Sequence, residues 1–175
     1  LLKNRNGEID LDAYRDLLTP EVALVSMMFA NNETGAIYPI KRMAKMAHDM
    51  GALFHCDAVQ GLGKVPLKVE HLDVDLASFS AHKFYALKGC GVLFIKRGTN
   101  LDTQIFGGGQ ERGRRGGTEN LLAIASLATM DSLLKHLDEY SAKVLSLRLY
   151  LEEKIEKEIP GVEIIAKDAK RLPNT

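Results

Sequence analysis

Short apolar runs alternate with helix-like segments along the first hundred residues, and this alternation restricts the fold more than any other feature. Runs of strand length cover residues 22–29, 52–56, 76–80 and 89–97. Apolar strands separated by helices are typical of a mostly parallel sheet with flanking helices on both faces, because such strands are buried from both sides. The sequence therefore predicts an α/β fold.

Helical signals complete this pattern. Asp10 is placed to cap a helix that runs to about Leu18, and a second helix is expected to start at Pro39. Beyond a glycine- and arginine-rich loop, apolar residues recur every three or four positions over residues 130–155. This spacing predicts one long amphipathic helix, or two helices joined near Asp138.

Composition and charge exclude several classes of protein. The 175 residues are 46% hydrophobic and 26% charged, and 23 basic residues balance 23 acidic ones. With no net charge and no apolar run of about 18–20 residues, we expect a soluble, cytoplasmic protein that binds neither nucleic acid nor membrane. Cys56 and Cys90 lie inside strand-like runs, so no disulfide framework is expected. The chain lacks an initial Met and ends soon after a new apolar run, residues 162–165, which indicates part of a longer protein.

Polar side chains follow three of the predicted strands. Asn32 follows the first strand, Asp57 ends the second, and Ser80, His82 and Lys83 end the third. Ligands of such sheets gather beyond the carboxyl ends of the strands. A lysine that can form a Schiff base and a carboxylate that can pair with a pyridinium, with hydroxyl, imidazole and amide donors nearby, predict a pyridoxal-phosphate (PLP) site.

Each of these residues also has a purely structural interpretation. Asp57 could cap a following helix, with Gln60 completing a capping box. Lys83 follows a strand predicted to be buried, where an ammonium is costly without a partner or a covalent role, and this favours function. His82 taken alone is consistent with a structural histidine. A metal site is not expected, because His55 points to the opposite strand face from its cysteine neighbour.

The loop over residues 107–117 is rich in glycine and arginine and has three interpretations. It could be a mobile surface loop, or a short arginine–glycine contact for nucleic acid. It could also be a compact turn whose backbone amides bind a phosphate, with the Thr118 hydroxyl and the next helix adding donors. The third interpretation is favoured because the segment is too short and isolated for the second.

Four blocks of sequence together resemble the cysteine desulfurases, in the class V aminotransferase branch of the fold-type I PLP enzymes. They are Ala30-Asn31-Asn32-Glu33-Thr34-Gly35, Asp57-Ala58-Val59-Gln60-Gly61-Leu62-Gly63-Lys64, Ser78-Phe79-Ser80-Ala81-His82-Lys83, and the segment from Gly107 to Asn120. The resemblance extends over essentially the whole chain. It implies part of the large domain of a fold-type I PLP-dependent transferase over residues 1–120, a connecting helix or helix pair over 121–159, and the start of a small C-terminal domain over 160–175.

The resemblance also implies roles for particular residues. Lys83 would hold the cofactor covalently and move the proton from the substrate Cα, and Asp57 would keep the pyridine nitrogen protonated. Gln60 and Asn32 would hydrogen-bond the phenolic oxygen of PLP. The phosphate would be bound by Ser80 and His82, and by Thr118 of the neighbouring subunit, which implies a homodimer.

The implied activity of the full-length parent is conversion of L-cysteine to L-alanine, with sulfur passed as a persulfide to an acceptor such as an iron–sulfur scaffold. The family's nucleophilic cysteine lies beyond residue 175, and Cys56 and Cys90 match other positions, so this piece alone is expected to be inactive. The sequence departs from the family at Ala86-Leu87-Lys88-Gly89, where Gly-Pro-Lys-Gly is common. Another class V enzyme, such as a selenocysteine lyase, a transaminase or a kynureninase-like hydrolase, and a noncatalytic scaffold remain as alternatives.

Overall fold

The computed structural model describes residues 6–175 and contains four strands and seven helices in that range. In chain order they are α1 (Leu11–Leu17), β1 (Leu24–Met28), α2 (Ile40–Asp49), β2 (Leu53–Asp57), α3 (Val69–Leu72), β3 (Leu76–Ser80), β4 (Gly91–Ile95), α4 (Gln110–Gly113), α5 (Leu121–Ser126), α6 (Thr129–Lys135) and α7 (Leu137–Glu158). A 3₁₀ turn, Ala81–Phe84, follows β3 directly. The strands form one sheet in the order β1-β2-β3-β4.

The sheet is mostly parallel, which confirms the predicted α/β fold. Strands β1, β2 and β3 run parallel, whereas β4 pairs antiparallel with β3. Strand β3 has the predicted bounds, β1 and β4 are one or two residues shorter than predicted at each end, and β2 starts and ends one residue later than predicted. Because β1, β2 and β3 share a direction, their carboxyl ends lie at the same edge of the sheet.

Only one face of this sheet is covered by the described residues. Helix α2 packs there, so that Met43 of the helix and Phe54 and Cys56 of β2 are almost fully buried. On the opposite face, the paired residues Leu24 and Leu53 are 49% and 40% exposed. The expectation of helices on both faces is therefore wrong for residues 6–175, and the sheet face that carries Leu24 and Leu53 lies open.

The predicted caps and stops of the first two helices are confirmed. The Asp10 carboxylate accepts hydrogen bonds from the backbone N–H groups of Asp12 and Ala13, each 3.0 Å away, at the start of α1. Helix α2 begins after Pro39, and Gly51 follows its end with a φ of +83°. An L-residue with a side chain rarely adopts that φ, which explains a glycine at this position.

The second half of the chain is helical and then returns to the core. The amphipathic stretch breaks at His136, between α6 and α7, so the alternative of two helices is confirmed. Residues 166–173, called the strap below, turn back from α7 and bury Ala166 and Leu172 in the core. No helix in the described part of the chain is long and apolar enough to cross a bilayer.

Candidate active site

The ends of three parallel strands bring the predicted site segments together. Met28 of β1 is paired with Asp57 of β2, and Asp57 with Ser78 of β3. The backbone pairing continues past the strand ends, because Phe29 N–H donates to the Asp57 carbonyl at 2.7 Å and Ala58 N–H donates to the Ser78 carbonyl at 3.0 Å. The segments that follow β1, β2 and β3 therefore start side by side at one edge of the sheet.

Asp57 does not cap a helix. Its side chain is half-buried, and Oδ1 accepts a hydrogen bond from the Val59 N–H at 3.0 Å. The residues that follow form hydrogen-bonded turns rather than a helix, so both parts of the capping interpretation are wrong. The Gln60 side chain instead accepts a hydrogen bond from Lys64 Nζ. Asp57 keeps a second carboxylate oxygen that makes no hydrogen bond to the described residues.

The turn after β3 presents a hydroxyl, an imidazole and an amine. Ser80 Oγ lies 3.0 Å from His82 Nδ1, so these two side chains form a preformed pair. His82 and Lys83 are exposed, whereas Ala81 and Phe84 of the same turn are buried and anchor it. The strand before the turn is buried as predicted, but the Lys83 ammonium is not buried with it, so the expected cost of burying this charge does not arise.

Lys64 is a residue near the site to which the sequence assigned no role. Burial and the positive charge of Lys83 lower the pKa of Lys64 below its ordinary value. The two amines are thus close enough to repel each other, and Lys64 adds positive charge beside Lys83. Its position four residues after Gln60 was visible in the sequence, but the electrostatic influence of Lys83 on it depends on the fold.

A hydrogen-bonded row of side chains, not predicted from the sequence, crosses the open sheet face beside Asp57. His55 Nδ1 lies 2.8 Å from Ser26 Oγ, and His55 Nε2 lies 3.2 Å from Ser78 Oγ. Strand alternation places His55 on the same face as Asp57. Within residues 6–175, no three His, Cys, Asp or Glu side chains are arranged to hold a metal ion.

Asn32 lies in an exposed loop whose shape is set by its neighbour. The Asn31 side-chain oxygen accepts hydrogen bonds from the N–H groups of Glu33 and Thr34, each 2.9 Å away. Asn31 N–H donates to the Ala36 carbonyl and closes the loop. The first asparagine of the pair therefore shapes the loop, and Asn32 is left exposed beside the strand edge.

Thr118 follows the glycine-rich loop, and among the described residues it has no hydrogen bond to the other site residues. It is exposed, and its hydroxyl makes no hydrogen bond within the described part of the chain. The preceding loop has Glu111 and Arg112 in left-handed conformations, with φ of +49° and +60°, and Gln110 accepts a hydrogen bond from the Gly117 N–H. The anion-binding role of this loop stays a prediction.

The two cysteines have different surroundings. Cys56 is fully buried, and burial followed by the nearby Asp57 charge raises the pKa of its thiol to about 12. Cys90 is partly exposed at the start of β4, with its sulfur 3.9 Å from the Gly91 carbonyl oxygen. A nucleophilic cysteine needs an accessible thiolate, so Cys56 is unsuited to that role.

Comparison with known proteins decides between the families that such a site allows. The family model of the class V aminotransferases matches residues 1–175. The chain belongs to the class V aminotransferase family. It is 46% identical over 170 residues to a cysteine desulfurase of Gluconacetobacter diazotrophicus, covering 97% of this chain and 42% of that protein. It is 43% identical to the cysteine desulfurase NifS of Azotobacter vinelandii, covering 98% of this chain and 43% of that protein.

Solved structures of class V relatives share the fold. A NifS-like protein from Rickettsia africae superposes with a TM-score of 0.92 at 35% identity, covering 99% of this chain and 49% of that one. A second NifS-like protein gives a TM-score of 0.89 at 37% identity, covering 97% of this chain and 46% of that one. The chain thus spans less than half the length of the curated relatives and solved structures named here.

PLP is the cofactor of the class V family, and the donor set at the strand edge fits it. An exposed amine at Lys83 can bond to a carbonyl, and the free carboxylate oxygen of Asp57 can pair with a pyridinium. The Ser80–His82 pair supplies donors for a phosphate. All three features lie on neighbouring strand ends, as the chemistry requires.

Proposed function

We propose that the full-length protein containing this chain is a PLP-dependent cysteine desulfurase that converts L-cysteine to L-alanine. The observation that carries the proposal is the meeting of the Asn32 loop, Asp57 and the turn from Ser80 to Lys83 at one sheet edge of a class V chain. The names of the relatives, cysteine desulfurase and NifS, favour this reaction over others of the class.

Each residue of this edge has a role in the proposed reaction. Lys83 holds the cofactor and then carries a proton at the substrate Cα, for which an exposed amine is suited. Asp57 fixes the protonated state of the pyridine nitrogen. Gln60 and Asn32 bind the phenolic oxygen of the cofactor. Bound PLP supplies the electron sink that makes the substrate Cα–H acidic.

The phosphate of the cofactor is bound by residues of two subunits in this proposal. Ser80 and His82 bind it from this chain, and Thr118 of a second copy reaches it across a homodimer interface. The exposure of the Thr118 side chain supports this division between subunits, because an exposed hydroxyl can reach a second copy. Lys64 adds positive charge near Lys83 and favours the anionic cofactor.

Sulfur leaves the substrate through a cysteine outside this chain. That thiolate attacks the substrate sulfur, the Cβ–S bond breaks, and the sulfur becomes a cysteine persulfide while the remaining carbon skeleton is released as alanine. A cytoplasmic acceptor such as an iron–sulfur scaffold then takes the sulfur. Neither Cys56, which is buried with a raised pKa, nor Cys90 serves as this nucleophile.

The test is product release from L-cysteine by the full-length protein loaded with PLP. We expect sulfide and alanine in equal amounts under a reductant that discharges the persulfide, and neither from Lys83→Ala. Lys88→Ala is the matched control, because Lys88 is an exposed lysine on the same connection. Cofactor bound through Lys83 without sulfide would replace this proposal by another class V reaction, and no cofactor at all would favour a scaffold.

A further inference from the structure

Helix α7 contacts both the turn that carries Gln60 and the strap. Ser141, near its start, donates its hydroxyl to the Lys64 carbonyl at 2.7 Å, and the Lys64 amine in turn bonds to Gln60. Arg148 and Glu152 follow about two and three turns later and contact the strap. One helix therefore supports the Gln60 turn at one end and the strap at the other.

The strap in turn holds the loop that carries Asn32. Leu172 N–H donates to the Gly35 carbonyl at 2.8 Å, and Ile37 N–H donates to the Lys170 carbonyl at 2.7 Å. The Leu172 side chain is completely buried beneath them. The base of the Asn32 loop is thus bound by backbone hydrogen bonds to the strap, and moving the strap would move the loop.

This contact leaves no room for adjustment at Gly35. Its φ is +73°, and an added Cβ would lie 2.6 Å from the backbone oxygen of Thr175. Both the backbone angle and the close approach of the chain after the strap require glycine here. The loop is therefore fitted against the chain in one arrangement rather than resting loosely on it.

Two arginines and one glutamate fix the strap to α7. Arg171 Nη2 lies 2.8 and 2.9 Å from the two carboxylate oxygens of Glu152, and their side chains are only 5% and 12% exposed. Arg148 Nη1 donates to the backbone carbonyls of Leu172 and Thr175, the latter at 2.8 Å. Charge-assisted bonds of this kind define position more strictly than apolar packing does.

Burying the charged groups of Arg148, Glu152 and Arg171 carries a desolvation cost. Two guanidinium groups face one carboxylate, and the Nε–H groups of Arg148 and Arg171 are buried without a hydrogen bond to any of residues 6–175. Burial, and then the charge of Arg171, lower the pKa of Arg148, while Glu152 opposes this. Buried ion clusters often add little stability over apolar packing, so the benefit of this cluster lies in its directional bonds.

We propose that Arg148, Glu152 and Arg171 are positioning residues that, through the strap, hold Asn32 where it hydrogen-bonds the cofactor. This inference rests on the proposed function, in which Asn32 binds the phenolic oxygen. That hydrogen bond stabilises the deprotonated oxygen, so it affects the pH at which the visible absorbance of lysine-bound PLP changes. A cluster that only adds stability would leave this midpoint unchanged in the folded protein.

The experiment titrates the visible absorbance of the full-length PLP-loaded protein against pH. Asn32→Ala is expected to shift the midpoint upward. Arg171→Leu is expected to shift it in the same direction by at least about half as much, and the double variant by no more than Asn32→Ala alone. Arg171→Lys is expected to restore the midpoint, because a single nitrogen of Arg171 makes both contacts with Glu152.

Controls separate positioning from general damage. Lys154→Leu breaks an exposed pair with Glu158 on the same helix, 3.5 Å apart, and is expected to leave the midpoint unchanged. If Arg171→Leu does not fold, Glu152→Gln takes its place. An unshifted midpoint, or additive shifts in the double variant, would overturn the positioning role. Absence of the absorbance from the wild-type protein would instead refute the proposed function.

Discussion

Asp57 holds the turn after β2 with one carboxylate oxygen, which accepts from the Val59 N–H, and its other oxygen is available to pair with a pyridinium. Its position at the end of an apolar run predicted that it would lie at the carboxyl edge of the sheet, and it does. Its hydrogen bond to the Val59 N–H, in place of a helix cap, depends on a turn that local propensity does not specify. The exposure of Lys83 was likewise missed, because burial of a strand does not extend to the turn after it.

Replacing Asp57 by asparagine separates these structural and chemical roles. The asparagine oxygen can still accept the hydrogen bond from the Val59 N–H, so we expect the fold and PLP binding to be retained. It cannot hold the pyridine nitrogen protonated, so turnover of L-cysteine by the full-length protein should fall by roughly 10²–10³. Steady-state rates and cofactor content measure the two effects, and unchanged turnover would remove Asp57 from the mechanism.

Cys56 and Cys90 should differ in their reaction with iodoacetamide. With a pKa of about 12, the Cys56 thiol is ionised in only about one molecule in 10⁴ at pH 8, and its side chain is fully buried. We expect mass spectrometry of the native full-length protein to find Cys56 unmodified until the protein is unfolded in urea. Labelling of Cys56 at the rate of a free thiol would contradict this account of β2.

At the scale of elements, strand bounds were predictable where the chain supplies clear breaks. Strand β3 matches its apolar run because Asp75 and the 3₁₀ turn limit it on either side. The antiparallel direction of β4 was not predictable, since an apolar run has the same pattern in either direction. The turns after Asp57 were missed because they depend on two glycines. Gly61 is required by close packing against Leu67 and Phe29, and Gly63 has a φ of +75°.

Gly61 gives a test of that packing. An added Cβ would lie 2.6 Å from Leu67 Cδ1 and 2.7 Å from Phe29 Cδ1, so both side chains would have to move. We expect Gly61→Ala to destabilise the protein by about 1–3 kcal/mol, seen as a lower unfolding temperature. Gly109→Ala is the matched control, because nothing lies within 4 Å and its φ is −82°. Equal unfolding temperatures for the two variants would show that the Gly61 turn is loosely packed.

At the scale of the whole molecule, the open sheet face is the main departure from the predicted fold. A mostly parallel sheet needs cover on both faces, and residues 6–175 supply it on one. The chain spans 42% and 43% of the length of the two cysteine desulfurases named above. Composition and periodicity predict that strands are buried, but they do not say which segments bury them.

The open face predicts a difference between this chain and the full-length protein. We expect the 175-residue chain to enhance the fluorescence of the dye anilinonaphthalene sulfonate, because Leu24 and Leu53 form an exposed apolar surface. Leu53→Ser should weaken that signal, whereas Leu17→Ser, on the exposed side of α1, should not. The full-length protein should bind little dye if its additional residues cover this sheet face. Equal dye binding by the 175-residue chain and the full-length protein would show that the face stays open in both.

A covalent link between Lys83 and the cofactor is the central feature of the proposed site. The deciding measurement is borohydride reduction of the full-length protein with PLP, followed by peptide mass spectrometry. We predict that the cofactor mass is found on the peptide carrying Lys83 and on no other lysine, including Lys64 and Lys88. Cofactor attached to a different lysine, or to none, would contradict the assignment of the site.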